Sequence, residues 1–234
     1  MQYMGGKSRI AGEITCAIVS EAANRGIPLQ RVVSLFCGAC SAETRLAKYA
    51  DLVVCNDLNP YLIAMWQEAQ DGRVFPGIIS ESDYAHIRSH KDDDPALAGF
   101  AGFACSFGGK WFAGYARGKY NYADVGQRSI VRDATLLQNA VFTCKDYREV
   151  EIQPGDIVYA DPPYAGTTGY GDRFDTDAFW DYMRRISQTN LVFISEQAAP
   201  DDFVSIWEKQ QDRILDSRRQ MPTATERLYI HTSV

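Results

Sequence analysis

Short apolar runs suited to buried strands alternate along the chain with stretches whose apolar residues recur at helical spacing. The strand candidates are RVVSLFC (31–37), LVVCN (52–56), AVFTC (140–144), DIVYAD (156–161) and NLVFIS (190–195). Because strands that alternate with helices are typical of a parallel sheet covered on both faces, the pattern predicts an α/β fold. Near the end, DRILDSR and ERLYIHT flank the turn-like QMPTAT. They predict an antiparallel hairpin that completes a mostly parallel sheet of roughly seven strands.

Residues that start or end helices fall between these strand candidates. The predicted helix starts are Ser8, Ser41, Thr176, and Asn59 with Pro60 at the first helical position. Gly26 and Pro28 are predicted to end the first helix. The helix that follows Thr176 carries Phe179, Met183 and Ile186 on one side, which is the side predicted to face the sheet.

The alternation is interrupted between residues 61 and 138. This interval passes through HKDDDP and then becomes GFAGFACSFGGKWFAGYARGKYNY, which is rich in glycine and aromatic residues. We therefore expect an inserted lobe at 61–138, within a domain formed by residues 1–60 and 139–234. A long interval without regular sheet elements more often carries function than fold.

Composition limits the classes of function. The net charge of -6 argues against a protein that coats nucleic acid through its overall charge, although it allows a local basic surface. No apolar run approaches the roughly 18 to 20 residues of a membrane span, and the N-terminus lacks a signal-peptide pattern. We therefore expect a cytoplasmic protein. Only Cys37 and Cys40 have C-x-x-C spacing, so we expect neither a metal site nor a disulfide framework.

The segment YMGGKSR, which starts at Tyr3, contains a Gly-Gly-Lys-Ser sequence similar to half of a phosphate-binding loop. That loop requires G-x-x-x-x-G-K-[ST] directly after a strand. The leading glycine would have to stand at Met1, where no strand can precede it. The spacing therefore excludes a P-loop NTPase.

The strongest chemical signal is ADPPY (160–164), directly after a strand candidate. A carboxylate at the carboxyl end of a parallel strand, here Asp161, lies where α/β proteins bind ligands. Pro162 and Pro163 donate no backbone hydrogen bond, so their carbonyls are available as acceptors. Tyr164 adds a flat ring. This set suits an exocyclic amine on a planar base, whereas the same letters alone would also fit a rigid surface turn.

Two weaker signals indicate a cofactor that contains adenosine. In SLFCGACSAETRLAK (34–48), Gly38, Ala39 and Ser41 allow a ligand to approach the backbone and a helix N-terminus. Asp57 follows the next strand, about 20 residues later, where an acidic residue can accept both hydroxyls of a ribose. A post-strand aspartate can equally cap a helix.

In their order along the chain, YMGGK, FCGACS, NDLN, CKDY and DPPYAGTTGY resemble the motifs of the Dam-type, D12 class DNA adenine N6-methyltransferases, particularly compact members from phages and prophages. The resemblance covers nearly the whole chain. It implies a Rossmann-like methyltransferase fold that uses S-adenosylmethionine, with a DNA target-recognition lobe at 61–138. The DPPY form is typical of adenine N6 methylation, whereas SPPY is more usual for cytosine N4.

The resemblance also implies roles for single residues. Around the cofactor these are Tyr3 and Lys7 at the methionine end, Phe36 and Gly38 beneath it, Asp57 at the ribose, Asp146 and Tyr147 beside the adenine, and Asp161. Asp161 and the Pro162 carbonyl would hold the target amine, and Tyr164 would stack on an adenine that has swung out of double-stranded DNA. No metal is required.

We expect DNA contacts from the inserted lobe, where basic side chains for phosphates interleave with aromatic rings for bases. The candidates are Lys110, Trp111, Arg117, Lys119, Tyr122 and Arg128. In the competing interpretation, the aromatic side chains form the core of the lobe and the charges are solvated.

One departure concerns the glycine turn, which in the family usually reads F-x-G-x-G. Cys40 replaces its second glycine, which is tolerable if the backbone angles there are ordinary and otherwise puts cofactor affinity in doubt. Three alternatives stay open: a methyltransferase of RNA adenine N6, one of DNA cytosine N4, and a catalytically silent DNA-binding relative. The recognition sequence and the oligomeric state also stay open.

Overall fold

A seven-stranded sheet organises the protein, as described by a computed structural model for residues 1–163, 174–211 and 224–233. The strands are β1 (Arg31–Ser34), β2 (Leu52–Asn56), β3 (Ala140–Thr143), β4 (Ile157–Ala160), β5 (Leu191–Glu196), β6 (Phe203–Gln211) and β7 (Ala224–His231). Their order is β3-β2-β1-β4-β5-β7-β6, in which β1 to β5 pair in parallel and β7 is antiparallel to both neighbours. The predicted α/β fold, a mostly parallel seven-stranded sheet with an antiparallel hairpin, is confirmed.

The hairpin differs from the prediction in its first strand. Strand β6 begins at Phe203, upstream of the predicted DRILDSR, whose residues 212–218 lie outside the described residues. A register shift between Ser205 and Trp207 breaks the alternation of β6. Because that alternation is the sequence signal of a strand, the irregularity hid the element.

The helices surround the sheet and connect its strands. They are α1 (Ala11–Asn24), α2 (Glu43–Leu46), α3 (Pro60–Gln70), α4 (Glu81–Ser89), α5 (Pro95–Ala104), α6 (Tyr122–Leu136) and α7 (Thr176–Ile186), with short 3-10 turns at Phe107–Gly109 and Tyr147–Glu149. On α7 the predicted inner residues Phe179, Met183 and Ile186 are buried, as expected. No helix in the described ranges combines the length and the apolar character that a membrane span needs.

Three of the four predicted caps are wrong. Neither Ser8 nor Ser41 caps a helix, because α1 and α2 start from turns in which the carbonyls of Lys7 and Cys40 accept bonds from Ala11 and Thr44. Thr176 is the first residue of α7, and Asp175 caps that helix by accepting from Ala178.

The remaining signals agree with the structure. The Asn59 side chain accepts from the amides of Tyr61 and Leu62, so the predicted cap of α3 is confirmed. Gly26 ends α1 with a φ of 68°, as predicted.

The two faces of the sheet bury two separate cores. Val32 contributes to one core and Val33 to the other, as expected for successive residues of a strand. The first core contains Ile14 of α1 together with Trp66, Phe100 and Ile130, which belong to the segment between β2 and β3. This segment thus shares its core with the rest of the chain. Its division at 61 and 138 into a separate lobe stays a prediction.

Helices α3 and α5 approach each other closely at Gly99. A Cβ atom there would lie 2.1 Å from the Tyr61 carbonyl oxygen and 3.0 Å from Met65 Cβ. Because α3 contacts both α5 and β3, this close approach helps to set how the β2–β3 segment packs on the sheet.

We predict that Gly99→Ala lowers the free energy of unfolding by about 1–3 kcal/mol, since the methyl group would force α3 and α5 apart. Urea unfolding measures the change. The matched control is Gly12→Ala in α1, where the nearest atom to a new Cβ is Arg45 Nε at 3.7 Å. That variant should be neutral or stabilised by up to about 1 kcal/mol, as expected for alanine in a helix. Equal effects of the two substitutions would contradict this packing.

Candidate active site

A largely buried ion-pair network lies at the carboxyl end of β4. Lys7 Nζ is 3.0 Å from Asp161 Oδ1 and 3.0 Å from Glu226 Oε1. The Asp161 side chain retains 18% of its exposure, against 5% for Lys7 and 6% for Glu226. Asp161, predicted as the central residue, therefore keeps access to a ligand while Lys7 holds one of its oxygens.

Glu226 joins this network from the antiparallel strand β7. The Ser195 hydroxyl of β5 donates to Glu226 Oε1 over 2.9 Å, in a buried contact. Glu226, Leu228 and Ile230 occupy every second position of β7, and all three side chains are buried. Sequence reasoning missed this residue, although an acidic residue in phase with inward-facing apolar residues was the signal that could have found it.

Two further carboxylates complete what we call the acidic cluster: Glu43, Asp161, Glu196 and Glu226. The Ser34 hydroxyl donates to Glu43 Oε1 over 2.6 Å, and the Gln197 amide donates to Glu196 Oε2 over 2.7 Å. Sequence reasoning also missed Glu43, the first residue of α2, and Glu196, the last residue of β5, whose positions at the start of that helix and the end of that strand were the available signals.

Burial governs the protonation of this cluster. It raises the pKa of Glu43 to about 7 and that of Glu196 to about 7. It raises the pKa of Asp161 to about 6, although the Lys7 charge opposes that shift. Once ionised, the acidic cluster carries more negative charge than Lys7 neutralises, which suits a positively charged ligand.

The other DPPY residues are described only in part. Pro162 is buried and Pro163 is half-buried. Tyr164, the predicted stacking residue, lies outside the described residues.

Asp57 ties together the turns that follow β1 and β2. Its Oδ2 accepts from the Gly38 amide over 3.1 Å, and its Oδ1 accepts from the Asn59 amide over 2.9 Å. The Trp66 indole donates to the Gly38 carbonyl over 3.0 Å. Burial raises the pKa of Asp57, while the backbone amides of Asn59 and Gly38 oppose the shift. Asp57 thus lies where the sequence predicts it, and it also shapes the glycine turn.

The N-terminal segment covers this turn. A Cβ atom at Gly38 would lie 2.9 Å from the Tyr3 ring, and one at Gly109 would lie 2.6 Å from the Tyr3 backbone nitrogen. The Met4 amide also donates to the Gly109 carbonyl over 3.1 Å. Tyr3 therefore lies between the glycine turn after β1 and the loop after α5, next to the segment that carries Lys7.

The remaining predicted cofactor residues meet on the other face of the sheet. Phe36 packs against Tyr147 with ring centroids 5.3 Å apart, and Tyr147 is buried. Asp146 caps the 3-10 turn and pairs with Arg148 at 2.8 Å, which lowers the pKa of Asp146. Phe36 and Asp146 are thus linked through Tyr147.

Cys40 has a left-handed backbone, with φ of 53°, and its side chain is fully buried. The condition of ordinary backbone angles is therefore not met, since this region favours glycine. All six cysteines are free, and Cys16 is exposed in the middle of α1. The glycine turn after β1 therefore accommodates Cys40, in place of the family's second glycine, at an energetic cost in backbone conformation.

The predicted DNA-contacting residues divide into exposed charges and packed rings. Arg117 and Arg128 are exposed and pair with Glu81 and Asp124. Lys119 lies 5.9 Å from the centre of the Tyr120 ring, which is 62% exposed.

The packed residues lie nearer the core of the β2–β3 segment. Trp111 is half-buried, stacks on Tyr61 at 5.3 Å and packs on Gly102, while Lys110 and Tyr122 are also half-buried. Trp111 therefore fits the competing interpretation of a packed ring, whereas Phe107 and Tyr120 present exposed rings.

The described residues contain no group of three or more His, Cys, Asp or Glu side chains arranged to hold a metal ion. A family model described as D12 class N6 adenine-specific DNA methyltransferase matches residues 3–94 and 109–195. The matched ranges include Lys7, Asp57 and Asp161, whereas Glu226 lies beyond them. No curated protein sequence matches the chain significantly.

Three solved structures illustrate what the chain is similar to. An rRNA methyltransferase, aviRa, from Streptomyces viridochromogenes is 12% identical, with a TM-score of 0.45 and coverage of 98% of this chain and 87% of that one. A magnesium protoporphyrin IX methyltransferase from Synechocystis, with bound S-adenosylmethionine, is 11% identical, with a TM-score of 0.41 and coverage of 96% and 79%. An rRNA methylase from Streptococcus thermophilus is 8% identical, with a TM-score of 0.41 and coverage of 94% of each chain.

We predict that Cys40→Gly is more stable than Cys40→Ala by about 1 kcal/mol, because alanine retains the cost of a left-handed residue and glycine does not. Urea unfolding of both variants measures the difference. The same pair at Cys16, a helical position, should give the opposite order by about 1 kcal/mol. If alanine were the more stable residue at both positions, the left-handed turn at Cys40 would be refuted.

Proposed function

The chain belongs to the family of D12 class N6 adenine-specific DNA methyltransferases, and from this premise we propose that it methylates N6 of adenine in DNA. It is a methyltransferase, and its cofactor is S-adenosylmethionine. The single observation that carries the proposal is the placement of Asp161. Its carboxylate follows β4, is held by Lys7 at Oδ1 and remains partly exposed.

The residues present fit this cofactor. S-adenosylmethionine supplies an electrophilic methyl group on a positively charged sulfur. The acidic cluster gives this part of the site a surplus of negative charge, which favours a cationic ligand. Tyr3 and Lys7 would hold its methionine end, Phe36 and Gly38 would lie beneath it, Asp57 would bind the ribose, and Asp146 and Tyr147 would border the adenine.

Asp161 and Pro162 would act on the target amine. The N6 lone pair of adenine is delocalised into the ring, so the amine is a weak nucleophile. We assign Asp161 Oδ2 and the Pro162 carbonyl as acceptors for its two N–H groups, which favours a tetrahedral nitrogen whose lone pair is available. A fixed pair of acceptors lowers the barrier through orientation and electrostatics.

The adenine must leave the duplex to reach these acceptors, because N6 inside a base pair lies in the groove rather than in a protein pocket. Tyr164 is the residue that we propose stacks on the extruded ring. The loop after α5 contacts the N-terminal segment through Gly109 and Met4, so bound DNA would lie next to the residues that hold Asp161.

Basic and aromatic side chains of the β2–β3 segment that are exposed or half-buried support the DNA surface. Tyr115, Lys119, Tyr120 and Tyr122 line one groove, and Arg117 is exposed beside it. Because exposed ion pairs such as Arg117–Glu81 contribute little stability, the arginine can exchange its partner for a phosphate. Lys110 and Arg128 complete the proposed surface, whereas Trp111 supports it from below as a packed ring.

We predict that Asp161→Asn lowers methyl transfer to duplex DNA at least about 100-fold, because the neutral amide is a weaker acceptor and also presents a donor to the amine. Transfer of a labelled methyl group measures the rate, and calorimetry with S-adenosylmethionine checks that the cofactor site persists. Asp71→Asn, an exposed change at the end of α3, is the matched control and should retain full activity. Near-normal transfer by Asp161→Asn would sink the assignment.

The nature of the product tests the substrate directly. Duplex DNA, single-stranded DNA and RNA would be offered separately, followed by analysis of the nucleosides. The proposal expects N6-methyladenine in duplex DNA. Methylation confined to RNA, or N4-methylcytosine as the product, would contradict it, and binding of DNA without any transfer would indicate a silent relative.

We predict that the double variant Arg117→Glu, Lys119→Glu weakens DNA binding about 10- to 100-fold at moderate salt and lowers the salt dependence by about two counterions, since two phosphate contacts are lost. Fluorescence anisotropy over a salt series gives both quantities.

The matched control is Arg25→Glu, Lys48→Glu. These residues precede the amino ends of β1 and β2, at the opposite edge of the sheet from Asp161. The control should bind DNA with nearly unchanged affinity beyond a small general charge effect. Equal losses in the two double variants would argue against a local DNA surface.

A further inference from the structure

We propose that Glu226 is a positioning residue that acts through Lys7. It holds the Asp161 carboxylate in place, and it shares the positive charge of the lysine, so that Lys7 does not pair with Asp161 alone. This inference rests on the proposed role of Asp161 in methyl transfer. It assigns a role to a strand, β7, that lies beyond the residues matched by the family model.

The geometry of Lys7 carries the inference. Its ammonium group is 3.0 Å from a carboxylate oxygen of both Asp161 and Glu226, so it bridges them. Asp161 follows the carboxyl end of β4, and Glu226 lies near the start of β7, with β5 between these two strands. One ammonium group therefore links the two sides of β5.

Glu226 is itself held in place. The Ser195 hydroxyl donates to Glu226 Oε1, the oxygen that also contacts Lys7. Ser195 belongs to β5, and its side chain is fully buried. A carboxylate fixed by a neighbouring strand gives Lys7 a fixed position, and Lys7 then fixes Asp161 Oδ1. The remaining oxygen of Asp161 keeps its orientation toward a ligand.

Charge supplies the second part of the inference. A buried ammonium paired with Asp161 alone would draw electron density from the carboxylate and weaken it as an acceptor. Glu226 shares the positive charge, so Asp161 remains a strong acceptor. The negative charge of Glu226 raises the pKa of Asp161, whereas Lys7 lowers it.

The groups around Asp161 come from five elements. They are Lys7 of the N-terminal segment, Glu43 of α2, Tyr159 of β4, Glu196 of β5 and Glu226 of β7. Burial holds the pKa of the Tyr159 hydroxyl well above its usual value, so it stays neutral. Glu43 and Glu196 lack the ion pair to Lys7 that Glu226 makes, so removal of Glu226 changes the lysine most directly.

The sign of the pH effect follows from the acceptor role. Asp161 is a strong, charge-assisted acceptor only when it is ionised, because protonation weakens its acceptor oxygens and adds a donor. Its pKa is about 6, so methyl transfer should fall as the pH drops through that value. Removal of the Glu226 charge lowers the pKa of Asp161. The acid limb of the rate profile should therefore move to lower pH even though the rate on the plateau falls.

The experiment compares the wild-type protein with Glu226→Gln in two ways. The first is a titration of the Asp161 carboxyl carbon by NMR in the protein without substrate, and the second is kcat from about pH 5 to about pH 9. For Glu226→Gln we expect the pKa of Asp161 to fall by roughly one unit. We also expect kcat on the plateau to fall about tenfold, because the acceptor is less well oriented. In Glu226→Asp, which keeps the negative charge, the pKa of Asp161 should stay close to its value in the wild-type protein.

Two further variants make the test decisive. Glu208→Gln on β6 removes a carboxylate of the same hairpin that pairs with Arg227 away from the acidic cluster, and it should leave both readouts unchanged. Ser195→Ala removes the hydroxyl that fixes Glu226, and it should lower kcat on the plateau in the same direction by a smaller factor. Should Glu226→Gln fail to fold, Ser195→Ala alone decides, and an unchanged kcat would overturn the inference.

An Asp161 pKa that is the same in Glu226→Gln and the wild-type protein would refute the role of Glu226. This outcome is distinct from failure of the proposed function, in which the wild-type protein would not methylate DNA adenine at all. The NMR titration needs no activity, so it still reports the coupling in that case.

Discussion

The active end of the sheet depends on one buried lysine that two carboxylates share. Lys7 comes from the N-terminal segment, Asp161 follows β4, and Glu226 belongs to β7. Removing a charged group from water is costly unless partners compensate it, so the three groups stabilise one another only in the folded arrangement. This requirement brings the two ends of the chain together and fixes the residue that the proposed reaction needs.

The glycine turn after β1 depends on the same N-terminal segment. Tyr3 packs against Gly38, and Asp57 holds the Gly38 amide from the next strand. A displaced segment would therefore disturb both the turn and the Lys7 ion pairs. This coupling explains why a short stretch of sequence near Tyr3 contributes to two parts of the site, and why the loop after α5, which contacts the same stretch at Gly109, lies beside them.

Much of the sheet could be predicted from the sequence because parallel strands are buried on both faces and therefore read as continuous apolar runs. The limits of β2 agree with the predicted LVVCN, and Asp161 was recognisable because a carboxylate directly follows the buried β4. The order of the motifs along the chain indicated a resemblance to the D12 class, and the family match confirms that the chain belongs to this class.

Other features could not be predicted, for physical reasons. Glu226 lies far from Lys7 in sequence, and only the pairing of β5 with β7 brings them together. The irregular register of β6 hid that strand from a search for alternating residues. The predicted caps at Ser8 and Ser41 were wrong because backbone carbonyls, rather than serine side chains, accept the first hydrogen bonds of those helices. The left-handed angle of Cys40 depends on the turn as a whole, so residue type gave no sign of it.

The most direct test of the account is a crystal structure of the protein with a non-reactive analogue of S-adenosylmethionine and a duplex that contains adenine. The account predicts the analogue over the glycine turn, an extruded adenine with its N6 against the Asp161 carboxylate, and Lys7 between Asp161 and Glu226. An analogue bound away from Gly38 and Asp57, or an extruded base whose amine contacts neither Asp161 nor the Pro162 carbonyl, would contradict it.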